Sequence, residues 1–315
     1  MRNRIAAAVL LFAVSAAHAA DPLPTPEELQ KLQDDKKWPE LSSATARILA
    51  LKGPVTDAYV RFDVWMKKAE AQLQSNQIAP AQQSFSKAAE EPKATPDQVD
   101  DAKAMALLVK RSDIKGYKTP GRAGPIQSFD IRDPQKRVNA LAALFGVEYG
   151  DVKKRVDNSR GVTDARPLTE IAKAVSDLRS LDRVVNKSND KSDELEKTLG
   201  ENVAASAKKW SDTTIKSLDD MKKTADEIIT ERYRDAQNRQ VTNTHRRGYT
   251  ADNLTTSINY MNAAKKWAET YKTVQPLLGP TGQGAIQPAE AMIQTTFDRA
   301  KSVQQDAMQQ RANGT

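Results

Sequence analysis

The sequence predicts an all-α protein in which an N-terminal array of short helical hairpins is followed by a C-terminal helical bundle. Three observations predict it. Aromatic residues make up only 5% of the chain and glycines number 13 in 315 residues, while Ala, Lys, Gln and Leu recur, a balance that favours helix over strand. Apolar residues return every three or four positions over most of the length, the period of a one-sided helix. Finally, several helix starts are written out in capping chemistry. Thr25-Pro26-Glu27-Glu28 and Thr95-Pro96-Asp97-Gln98 each place a hydroxyl at the cap, Pro where no N–H is needed, and Glu or Gln at the third position. Asp133-Pro134 repeats the cap-plus-proline device.

Residues 1–19 read as an export signal. Arg2 and Arg4 form a positive start, Ile5 to Val14 is an apolar run, and Ala17-His18-Ala19 supplies the small residues a signal peptidase accepts. The run is about half the ~20 residues a membrane-spanning helix needs, and no second one follows, so no membrane span is expected. The expected location is periplasmic or secreted. With no cysteine in the chain, structural disulfides and a lipid anchor on cysteine are excluded.

The formal charge of +7 falls to +5 when Arg2 and Arg4 leave. The excess lies in the second part: residues 21–112 hold 13 basic against 14 acidic side chains, residues 113–315 hold 33 against 27. That sign suits an anionic envelope polymer, although basic and acidic residues interleave as on any solvated helix face. Export and the absence of an aromatic-basic motif argue against nucleic acid as a partner.

Residues 22–112 form the first expected domain. After the Thr25 start, helices are predicted over 37–52, 57–75 and 78–91, and from Pro96 to about Arg111, with a break at Lys52-Gly53-Pro54 and another at Ser75-Asn76. Within it, Trp65, Ala69, Ala81, Phe85 and Ala88 carry one large and one small residue on a first helix and Ala, Phe, Ala on a second. The small residues let two helices approach and Phe85 fills the space beside them. This segment resembles a tetratricopeptide repeat. An upstream copy is degenerate: Trp38 stands for Ile78, while Leu41 and Thr45 replace the Ala and the aromatic, at an offset of 40 residues against the family's period of about 34. Lys68 and Gln72 also occupy positions where the family carries Leu and Tyr. The resemblance implies a concave face that binds extended peptides or partner helices. Asp63, Met66, Glu70 and Gln74 are the residues of this chain expected on it, suited to a basic peptide with an apolar anchor.

Residues 113–133 gather Gly116, Pro120, Gly121, Gly124 and Pro125, too many breakers for a helix, and are expected to be a linker. A helical bundle is expected over 134–310. Its helices would bury Val138, Leu141, Leu144 and Phe145; then Leu168, Ile171, Val175, Leu178 and Leu181. A long polar stretch from about Ser192 to Asn238 comes next, its apolar stripe running from Leu195 to Ile228 and Gly200 a point of interruption. Thr250 caps a helix with Leu254, Ile258, Met261, Ala264 and Tyr271 inward, and Pro288 opens the last, with Met292, Ile293, Phe297, Ala300 and Val303. A coiled-coil dimer through the long segment is less favoured, because its heptad slips between Val203 and Leu218.

Catalytic chemistry finds little support. The exported chain keeps one histidine, His245, so neither a His/Cys zinc site nor a conventional histidine relay is expected. Acid pairs such as Asp219-Asp220 and Glu90-Glu91 sit at solvated helix positions where nothing tunes a pKa. Gly279-Pro280-Thr281-Gly282-Gln283-Gly284 lacks the Lys and the preceding strand of a phosphate loop and reads as a mobile connection between helices. Trp38, Trp65, Trp210 and Trp267 fall one per helix, as packing residues do. One cluster stands out: Arg232, Arg234, Arg239, Arg246 and Arg247 in a basic turn, a candidate anion-binding site. The expected function is a non-catalytic scaffold or adaptor for an envelope protein or peptide, with no cofactor. The alternative is an envelope enzyme or anionic-polymer binder acting through the basic C-terminal part.

Overall fold

A computed structural model of the chain describes residues 22–51, 58–112 and 134–312. The expected export signal, the Lys52-Gly53-Pro54 break, the linker over 113–133 and the Asp133 cap lie outside them. The described chain is mostly helical. Helices α1 (Pro26–Asp34), α2 (Trp38–Ala50), α3 (Arg61–Gln74), α4 (Ile78–Ala89) and α5 (Pro96–Ser112) come first. α6 (Pro134–Asp157), α7 (Ala165–Asn186) and α8 (Asp190–Asp226) come next, then strands β1 (Ile228–Arg234) and β2 (Gln240–Arg246). α9 (Ala251–Val274), α10 (Pro280–Ile286) and α11 (Pro288–Ala312) complete it.

Caps written in the sequence are made. Thr25 accepts from the Glu28 N–H at 3.2 Å while the Glu28 carboxylate accepts from the Thr25 N–H at 2.8 Å. Thr95 and Gln98 exchange the same pair of bonds, and Thr250 does so with Asn253. The first two hairpins also share one turn. Lys36 and Asn76, 40 residues apart, both take a left-handed φ of +57° and +58°. The bonds around them match: Lys37 N–H to Leu32 O at 2.9 Å, Gln77 N–H to Gln72 O at 2.8 Å.

Core residues of the early and late helices meet in a single cluster. Ala69, Phe85, Met105 and Leu108 belong to the same buried set as Leu141, Leu168, Val175, Leu195, Trp267 and Ile293, and α5 packs along α7. Leu29, Leu41, Ile48 and Val64 form a separate core for the first hairpin. Trp210 of α8 and Trp267 of α9 pack with ring centroids 6.1 Å from each other.

Three expectations are corrected. Gly200 does not interrupt α8, which runs unbroken for 37 residues, about 55 Å. A Cβ there would stand 2.7 Å from the Gly282 carbonyl oxygen and 2.8 Å from Ala285 Cβ, so the glycine is where α10 lies directly on α8. The glycine-rich segment over 279–284 is the start of that helix rather than a mobile connection. Gly279 N–H donates to Glu196 at 2.8 Å; Glu196 is fully buried and also holds Arg179 at 3.2 Å, and Arg179 fills the space beside Gly279. Lastly, Val138 and Ile258 face solvent, at 51% and 38% exposure, because each helix turns a stripe narrower than its apolar residues toward the core.

Candidate functional site: an arginine-bearing hairpin

The last buried residue of α8 is Ala225, and beyond it the composition of the sequence changes. Ile228-Ile229-Thr230 and Val241-Thr242-Asn243-Thr244 are rich in β-branched residues, which fit a pleated strand better than a helix. Between them Asp235 builds a turn: its carboxylate accepts from the Gln237 and Arg239 N–H groups at 3.0 and 2.9 Å, its carbonyl from Asn238 N–H at 2.9 Å. Asn238 takes the left-handed φ of +63°, a conformation Asn tolerates. These bonds hold the Asp235 carboxyl below its ordinary range, the Arg239 N–H contributing most. The basic turn expected around residues 232–247 is therefore an antiparallel hairpin, and Ile228, expected to pack on the bundle, is 71% exposed at its base.

Register fixes which side chains share a face. Ile228 pairs with Arg246, Thr230 with Thr244, Arg232 with Thr242 and Arg234 with Gln240. Paired residues point the same way, so one face carries Arg232, Arg234 and Arg246 among threonines with no acid. The opposite face carries Ile229, Glu231, Tyr233, Val241, Asn243 and His245. No strand residue is buried, and Tyr233 is 52% exposed.

The five arginines are unequal. Arg239 pairs with Asp235 at 2.8 Å in the turn, Arg246 with Asp226 at 3.5 Å and Arg247 with Glu227 at 3.4 Å at the base. Arg234 donates to the Asn238 side chain at 3.0 Å. Neither Arg232 nor Arg234 has a carboxylate partner among the described residues.

The base is anchored firmly. Arg247 N–H donates to Glu227 O and Gly248 N–H to Ala225 O at 2.8 and 2.9 Å, and Tyr249 N–H donates to Gln310 of α11 at 2.7 Å. Gly248, with φ +78°, leaves room for the Gln310 amide where a side chain would stand. A cleft of about 840 Å³ opens here between the ends of α8 and α11 and strand β2, lined by Lys222, Asn243, His245, Tyr249, Asp306 and their neighbours. Its acids are half-exposed and engaged, Asp226 with Arg246 and Asp306 with Lys222 at 3.6 Å. Burial, then Asp306, pushes the Tyr249 phenol above its ordinary pKa, so it stays protonated.

The four candidate groove residues on α3 do not form one open face. Asp63 and Gln74 are exposed, but Met66 packs against the core and Glu70 is 1% exposed. Glu70 accepts a hydrogen bond from the Gln33 side chain of α1, and Lys67 reaches Gln30 and Gln33. α1 thus covers the middle of the stripe. Among the described residues no group of His, Cys, Asp and Glu could hold a metal ion, and no helix is long and apolar enough to cross a membrane. Compared with known proteins, the chain matches no family model, no curated protein and no solved structure.

Proposed function

We propose that this chain is an exported, non-catalytic scaffold or adaptor that captures a protein or peptide partner in the cell envelope, and that the β-hairpin is its capturing surface. The observation that carries the proposal is the hairpin itself: fourteen strand residues, none of them buried, held out from a helical body on a base tied to α8 and α11. A segment that contributes nothing to a core costs conformational entropy to order, and its value lies in what it presents. The tetratricopeptide-like reading of residues 22–112 supports the same role, with those hairpins as the frame. The cleft acids give an enzyme reading no comparable support, since both are solvated and paired. An anionic envelope polymer is the alternative partner, favoured by the acid-free arginine face.

The test uses the tagged mature chain against envelope extract, beside a variant in which residues 228–246 are replaced by Asn-Gly. Partners identified by mass spectrometry with the parent and lost with the variant support the proposal. Identical partners for both would move the capturing surface elsewhere. Fractionation of the native protein checks export, and bulky residues at Ala17 and Ala19 should leave a longer precursor.

A further inference from the structure

We propose that the outer edge of β1 is a strand-addition site for an extended acidic segment of the partner, with acids at alternate positions opposite Arg234 and Arg232 and an apolar residue opposite Ile228. The inference rests on the adaptor reading and names the chemistry of the segment captured.

Hydrogen-bond parity identifies the free edge. Bonds flanking the ladder join Arg247 to Glu227 and Asp235 to Arg239, so residue pairs at odd β1 positions are the hydrogen-bonded ones. Such pairs alternate in an antiparallel ladder. The N–H and C=O groups of Ile228, Thr230, Arg232 and Arg234 therefore point away from β2. These positions also carry the acid-free arginine face. Free backbone and cationic side chains thus belong to the same residues, and among the described residues no helix packs along β1.

The β2 edge is a poorer candidate. Asn243, His245 and Arg246 line the cleft beside α8 and α11, and the one arginine on that edge already holds Asp226. A second copy of this chain is disfavoured as the occupant, because two acid-free faces bearing three arginines each would meet, the means by which proteins keep exposed edges apart. An acidic strand reverses that sign. On a strand, alternate residues stand about 6.6 Å apart, so acids two positions apart align with Arg232 and Arg234 while main-chain bonds supply register.

The probe is a labelled peptide of sequence Glu-Thr-Glu-Thr-Val-Thr-Ile, its binding to the full mature chain read by fluorescence anisotropy. Saturable binding is expected, weakened about tenfold or more by Arg232→Glu with Arg234→Glu, as for reversed charge pairs at an interface. Two further arms separate strand addition from charge attraction. Thr230→Pro removes an N–H the hairpin does not use, which an edge strand tolerates, and keeps both arginines. The same peptide N-methylated at its third and fifth residues keeps its charge and needs no altered protein. Loss of binding in both arms supports the site. Equal binding by the methylated peptide overturns it in favour of an electrostatic surface. No binding of the parent peptide overturns it too, while hairpin-dependent capture from envelope extract would leave the adaptor reading standing.

Discussion

Gly200 illustrates how a residue that weakens a helix can be needed by a fold. Its missing Cβ is the space in which α10 sits, against backbone atoms that cannot step aside. Gly200→Ala is expected to lose about 1–3 kcal/mol from overpacking despite alanine's better propensity. Gly146→Ala and Gly150→Ala in α6, where a Cβ meets nothing within 4 Å, should instead gain up to about 1 kcal/mol. Urea titrations that give all three the same sign would contradict the close approach. From sequence, Gly200 and the glycine-rich segment looked like breaks, because propensity is local and the contact that explains both glycines lies some 80 residues away.

The same junction sets a pH dependence. Burial pushes the Glu196 carboxyl above the ordinary glutamate value of 4.5, opposed by Arg179 and the Gly279 N–H. The folded state holds this proton more tightly than the unfolded chain, so the group favours folding below 4.5 and that contribution is lost as pH rises through the folded value. Arg179→Ala removes the main opposition. At pH 7 it should cost about 3–5 kcal/mol by leaving a buried carboxylate unpaired, and the loss should shrink as the medium is acidified toward pH 4.5 and Glu196 takes up its proton. An equal loss at both pH values would mean that Arg179 acts through packing alone.

Elements whose ends carry their own chemistry were legible. The caps at Thr25, Thr95 and Thr250 and the start at Pro288 sit where the sequence places them, since a cap needs only residues within one turn. The end of α8 was not legible. Its stripe at spacings of three and four continues through Leu218, Met221 and Ala225 to Ile228, and the helical reading carries on to Asn238, 12 residues past the end of α8 at Asp226. The signal that marks the change is compositional, the β-branched runs on either side of Asp235 and Asn238. The groove on α3 failed for a different reason: residues 63, 66, 70 and 74 do share a stripe, but which neighbour covers it depends on α1, whose position no local pattern states. Because no hairpin residue is buried, replacing residues 228–246 by Asn-Gly between Glu227 and Arg247 should change stability by less than about 1 kcal/mol. Guanidinium titration measures it, and a larger loss would show that the strands support the helical body.

At the scale of the whole molecule, the Gly/Pro segment over 113–133 suggested two domains, yet buried side chains from both sides of it join one cluster. Sequence punctuation marks where a chain leaves a helix; it does not say whether the next helices return to the same core. Phe85 tests this. It lies fully buried in α4, in the cluster that also holds Met105 and Leu108 of α5 and Val175 and Leu178 of α7. Phe85→Ala should cost about 3–5 kcal/mol by leaving a cavity. The informative reading is where that loss is felt. In a background with Trp38→Phe and Trp65→Phe, fluorescence comes from Trp210 and Trp267, which pack together between α8 and α9. If the cluster unfolds as one cooperative unit, these distant tryptophans should report the same shifted midpoint as helix loss followed by circular dichroism. An unshifted tryptophan midpoint beside a shifted helical one would mean that residues 134–312 unfold independently, and that the contact between α5 and α7 is an interface between two domains.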